Sequence, residues 1–112
     1  MRSRYRKAEA GFKSLYHFSY ACTGCRKSFK RPGGPKAPEL RRCPNCGGKA
    51  QNVGRHFKAP PATDARQWAK VEFLLEHGFP FHRIYVRGIR VPYPKTLGEA
   101  RRFVKVYKDY AW

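Results

Sequence analysis

The sequence predicts a small α+β fold, a short antiparallel sheet followed by a helix–strand–helix segment. Three observations carry that prediction. Cys22-Thr23-Gly24-Cys25 and Cys43-Pro44-Asn45-Cys46 are two Cys-x-x-Cys pairs with seventeen residues between them, a spacing that lets two tight turns aim four thiolates at one point. Ahead of the first pair, Tyr16, Phe18 and Tyr20 alternate with His17, Ser19 and Ala21, the period of a strand. Farther along, two capped apolar stripes have the period of helices.

Residues 1–11 read as a basic arm, with Arg2, Arg4, Arg6 and Lys7 and little that is apolar. Such an arm either frays or orders on a polyanion. Residues 12–54 hold the sheet. The strand through Tyr16, Phe18 and Tyr20 runs into the first cysteine pair, and its aromatic row is expected to pack the sheet against the later helices. Arg26–Arg31 supplies a return strand. Pro32-Gly33-Gly34-Pro35-Lys36-Ala37-Pro38 predicts an exposed loop, because these residues resist regular structure. Leu40-Arg41-Arg42 leads into the second pair, Gly47-Gly48 permits the curl after it, and Gln51-Asn52-Val53 closes the sheet.

Residues 55–62 form a linker stiffened by Pro60 and Pro61. Residues 63–112 then read as helix–strand–helix, packed on the sheet. Asp64 is an N-cap with Gln67 three residues on, Trp68, Val71, Leu74 and Leu75 share a face, and Gly78 takes the C′ position. Thr96 and Glu99 open a second helix with the stripe Ala100, Phe103, Val104, Tyr107 and Ala111. Between them, Phe81–Val91 reads as a strand whose apolar parity flips at Gly88, predicting a bulge or bend there.

At 112 residues the chain reads as one domain, or one small domain plus an extension, with a limited core, the size at which a metal or disulfides commonly act as staples. No apolar stretch follows the basic start Met1–Lys7, and none approaches a membrane span. The expectation is a cytoplasmic protein with no membrane partner, where paired Cys-x-x-Cys motifs hold metal. Four thiolates fill a tetrahedral shell, so one structural Zn²⁺ on Cys22, Cys25, Cys43 and Cys46 is predicted, with no open position for catalysis. Iron also accepts four thiolates, but the short Pro- and Gly-bearing turns favour zinc. His56 could replace a thiolate, though the shell is complete without it.

The second pair, Cys43-Pro44-Asn45-Cys46-Gly47, resembles the Cys-Pro-x-Cys-Gly knuckle of the zinc-ribbon superfamily. The resemblance spans about residues 12–54 and implies a metal-bound fold. It implies no activity, since zinc ribbons occur in ribosomal proteins, transcription factors, polymerase subunits and docking modules.

Charge narrows the partners. Twenty-five Lys and Arg face seven Asp and Glu, a net +18, and a compact chain this basic is expected to meet a polyanion. Catalysis is not expected. No glycine-rich phosphate loop, nucleophile elbow, His-Glu-x-x-His or His-x-Glu is present, and the few carboxylates do not cluster for a metal-dependent nuclease. No small-molecule substrate is implied. The candidate nucleic-acid contacts are Arg4, Arg6 and Lys7 in the arm, Arg31, Lys36, Arg41 and Arg42 at the loop tip, and Arg55, Phe57 and Lys58 beside the sheet. On the predicted strand, Arg83, Tyr85 and Arg87 make either a cation–aromatic–cation ladder or a tyrosine packed on a helix. Arg101 and Lys105 are like charges one helical turn apart, unfavourable unless an anion lies between them. The reading is an RNA-binding protein, with the ribosome or another RNA–protein particle as its setting. A DNA-binding or transcription-associated module is the nearest alternative, and a docking module for an acidic protein is another.

Overall fold

The computed structural model describes residues 17–33 and 37–112, so the arm with Arg4, Arg6 and Lys7, as well as Tyr16 and Lys36, lies outside the described residues. Four strands, β1 (His17–Cys22), β2 (Lys27–Pro32), β3 (Leu40–Arg42) and β4 (Lys49–Asn52), form an antiparallel sheet in the order β2-β1-β4-β3. The return strand after the first cysteine pair forms where the sequence predicts it, pairing from Cys22↔Lys27 to His17↔Pro32. Pro32 ends an edge strand, where its missing N–H breaks no ladder.

The two faces of the sheet have different work. On one, Tyr20, Cys22, Cys43 and Ala50 are buried together, with Phe18, Cys25 and Phe29 against them. On the other, Ala21 and Val53 pack with Trp68 and Val71 of α1 (Ala65–Glu76). Tyr20, in the described part of the aromatic row, therefore packs on the cysteine side and not against the helices, contrary to expectation. Side chains alternate along β1, and it is the face with the small residues Ser19 and Ala21 that lets α1 approach closely. Tyr20 turns to the cysteine side, stacks on Phe29 with ring centroids 5.6 Å apart, and donates its hydroxyl to the Pro38 carbonyl at 2.7 Å.

α1 opens on Asp64, whose carboxylate accepts from the Gln67 N–H at 3.2 Å. The Gln67 side chain does not close a capping box. It donates to the Lys95 carbonyl at 2.8 Å and so ties α1 to the approach of α2 (Leu97–Val106). The helix ends in a Schellman motif, with Gly78 N–H on Leu75 O and Phe79 N–H on Leu74 O. In α2, Thr96 Oγ1 caps Glu99 N–H, and the Glu99 carboxylate takes the Lys95 N–H. Ala100 and Phe103 bury against Leu74, Phe79 and Ile84. Ala111 lies beyond the helix, which gives way at Tyr107 to a 3₁₀ turn over Lys108–Tyr110.

The predicted single strand over Phe81–Val91 is instead a tight hairpin, β5 (Tyr85–Val86) and β6 (Ile89–Arg90), with register Tyr85↔Arg90 and Val86↔Ile89. Arg87 and Gly88 have φ of 53° and 80°, the left-handed pair of a type I′ turn. The parity flip at Gly88 is the chain reversing, not a bulge.

Trp68 is the seam between sheet and helices. It is 2 % exposed, and its indole N–H lies 3.1 Å from both the Pro60 and Pro61 carbonyls. Trp68→Ala is expected to lower unfolding free energy by about 3–5 kcal/mol. Trp68→Phe, which keeps a ring but loses the indole hydrogen bond, should cost only about 1 kcal/mol beyond its smaller packing loss. Denaturant unfolding followed by circular dichroism measures both.

Candidate metal centre and basic surface

The end of β1 and the turn after it carry Cys22 and Cys25, and the β3–β4 turn carries Cys43 and Cys46. Since β1 and β4 are neighbours, both turns lie at the same end of the sheet. The four Sγ atoms all lie within 4.8 Å of one another, and Cys22–Cys46 and Cys25–Cys43 approach to 3.6 Å. These distances are far longer than a disulfide bond of about 2.05 Å. They are close to the roughly 3.8 Å edge of a tetrahedron with metal–sulfur bonds of about 2.3 Å. The tetrad thus fits one metal ion.

The two turns repeat one backbone device. In the second, Cys43 N–H donates to Gly48 O at 2.7 Å, Gly47 N–H to Cys43 O at 2.8 Å, and Gly48 N–H to Cys46 Sγ at 3.4 Å. The residue after each second cysteine is left-handed, Gly47 at φ 77° and Arg26 at φ 57°. Glycine takes that conformation without strain, whereas arginine holds it at a cost.

The thiols are not equivalent. Hydrogen bonding from the backbone of Cys46, then of Asn45, lowers Cys43 to about 6, against the pull of burial. Burial, then contact with Cys43, pushes Cys25 up to about 12. For Cys46 the Gly48 N–H pulls down, but contact with Cys22 and burial outweigh it and the pKa is raised. Cys43 is therefore the thiol that deprotonates most readily of these three, while Cys25 and Cys46 must give up protons to an entering ion.

The expected cationic contacts are sorted by the fold. Arg41 does not project from the tip. Its register opposite Ala50 puts it on the Tyr20 face, with its guanidinium 5.0 Å from that ring and its Nε buried without a partner among the described residues. Arg31 lies 4.7 Å over Phe29 and donates to the Lys30 carbonyl. Arg42, Arg55, Arg101 and Lys105 are exposed. Arg83, Tyr85 and Arg87 do not form one strand row, because Arg87 occupies the hairpin turn; the cross-strand neighbour of the half-exposed Tyr85 is Arg90.

Phe57, Lys58 and Arg83 do come together, lining one cleft with His56. Arg90 and Lys70 line it too, and the sequence singles out neither. Reading Arg87-Gly88 as a two-residue turn would have brought Arg90 back beside Tyr85. Lys70 carries no local signal, since only tertiary packing half-buries it. Its ammonium donates to Gln67 Oε1 at 2.8 Å, and burial lowers its pKa despite the charges of Asp64 and Glu99. Among the described residues no helix is long and apolar enough to cross a membrane.

Calorimetry in two buffers of different ionisation enthalpy should show at least two protons released per ion at pH 7, from Cys25 and Cys46. One more should appear below pH about 6, where Cys43 is also protonated. Apparent metal affinity accordingly falls as pH falls, and more steeply below that point. Gly47→Ala meets no atom within 4 Å, so its expected loss of about 1–2 kcal/mol in the metal-bound protein is purely conformational. No protein-family model, curated protein or solved structure matches the chain.

Proposed function

We propose that the chain is a small zinc protein of the ribbon type that binds nucleic acid, RNA in preference to DNA, within the ribosome or another cytoplasmic RNA–protein particle. In this reading Cys22, Cys25, Cys43 and Cys46 hold one structural Zn²⁺, and arginines and lysines make the contacts. The protein is a binding module and catalyses nothing. The observation that supports the reading is the pairing of a closed tetrad with a net charge of +18. A filled thiolate shell leaves the metal no coordination site for chemistry, and so much uncompensated positive charge is relieved by a polyanion. Preference for RNA follows from the scatter of cations over loop, cleft and helix, which suits an irregular strand better than one groove of a duplex.

Fluorescence anisotropy with matched RNA and DNA, titrated in salt, tests the reading. RNA should bind more tightly, with a log–log salt slope of about −3 or steeper, as expected for four or more phosphate contacts on a single strand. A shallow slope, or duplex DNA binding more tightly than RNA, would overturn it. Cys43→Ser should lose the zinc, measured by mass spectrometry, and lose RNA binding with it, because the sheet that orders the cations depends on the metal.

A further inference from the structure

The end of β4 runs into Gly54-Arg55-His56, and the β5–β6 hairpin folds back beside it. Between them lies a cleft of two lobes, of about 230 Å³ and about 580 Å³. His56, Phe81, His82, Arg83 and Arg90 line both. The smaller lobe adds Lys58 and the half-buried Lys70; the larger adds Arg55. No carboxylate lines either lobe, and neither Arg83 nor Arg90 has an ion-pair partner among the described residues. Local desolvation, then the charges of Arg83, Arg55 and Arg90, lower the pKa of His56. The cations are therefore close enough to disfavour one more positive charge.

The cleft is also built on backbone strain. Phe81 has φ of 63°, a conformation uncommon for a bulky residue and costly by about 1–3 kcal/mol. It is held there between Phe57, edge-on with centroids 4.9 Å apart, and Tyr93, stacked at 5.1 Å. The result is an aromatic floor in the same cleft as the Arg83 and Arg90 guanidiniums, which no carboxylate neutralises among the described residues. Elsewhere the arrangement differs. Arg31 and Arg41 already lie over rings, and Arg101 and Lys105 stand on an open helix face.

We propose that this cleft is a phosphate-binding site, gripped by Arg83 and Arg90 over the Phe57–Phe81 floor, that takes one nucleotide unit of a single strand. Forked guanidinium contacts suit a phosphate's oxygens, and the aromatic floor suits the adjoining base. The identification of the strand rests on the nucleic-acid reading; the phosphate chemistry does not. The same chemistry serves a free nucleotide, so the test has an arm for each source.

The zinc-loaded protein is titrated with AMP by calorimetry and with labelled oligo(U) by anisotropy. It is compared with Arg83→Gln/Arg90→Gln and with the charge-matched Lys49→Gln/Arg66→Gln, whose exposed side chains lie outside the cleft. Zinc content and thermal midpoint confirm that both variants fold. The expected result is that the first variant binds both ligands about tenfold more weakly, or worse, while the second matches the parent for AMP. AMP failing to bind the parent, or both variants weakening alike, overturns the proposal. Tight oligo(U) binding indifferent to Arg83→Gln/Arg90→Gln also overturns it, yet leaves the nucleic-acid reading standing. AMP binding that depends on the two arginines, with no binding of oligo(U), keeps the phosphate site, assigns it to a free nucleotide and sinks the nucleic-acid reading.

Discussion

The mutual approach of four sulfurs is the constraint on which the sheet depends. Strands of three to six residues have little pairing of their own to hold them. The tetrad joins the β1–β2 turn to the β3–β4 turn and thereby sets β1 beside β4. Four thiols this close gain little from one another without a cation. With one, the end of the sheet becomes a cross-link. Tyr20 and Ala50 bury beneath the sulfurs, and Tyr20 in turn anchors Pro38 and supports the Arg41 guanidinium. The order around the tetrad thus reaches the far side of the β2–β3 loop.

Fixing one face of β1 also fixes the other. Once Tyr20 and Cys22 turn toward the sulfurs, Ser19 and Ala21 must face away. Their small side chains leave room for Trp68, and Trp68 brings α1, the Pro60-Pro61 carbonyls and, through Gln67, the start of α2. The helical half is therefore oriented by the alternation of β1.

Much of this was legible in the sequence, and the parts that were not have distinct physical causes. The cysteine spacing, both N-caps and the Gly78 stop are local signals carried by a few adjacent residues, and each appears where it is read. The face on which Tyr20 packs is not local: alternation places Tyr20 opposite Ala21 but does not say which side meets the helices. Arg87-Gly88 misleads for another reason. An arginine at the first position of a type I′ turn lacks the usual Asn or Asp signature, so the parity flip resembles a bulge. That one misreading hides Arg90, and with it the cleft. Phe81 is concealed similarly, because no propensity marks a phenylalanine for left-handed backbone.

The sorting of cations bears most on what the surface can do. Charge alone treats every Lys and Arg alike, and exposed charges in salt are screened beyond about 8–10 Å. Arg31 and Arg41 are partly satisfied by the faces of Phe29 and Tyr20. Arg101 and Lys105 stand in open solvent, where counterions reach them freely. Arg83, Arg90 and Lys70 are different, because they share one partly apolar concavity, a shape that focuses the field of like charges. An anion entering there relieves repulsion that water relieves only in part. The hairpin cleft thus gathers cations and aromatic rings in one place, even though the excess charge is spread over the whole chain.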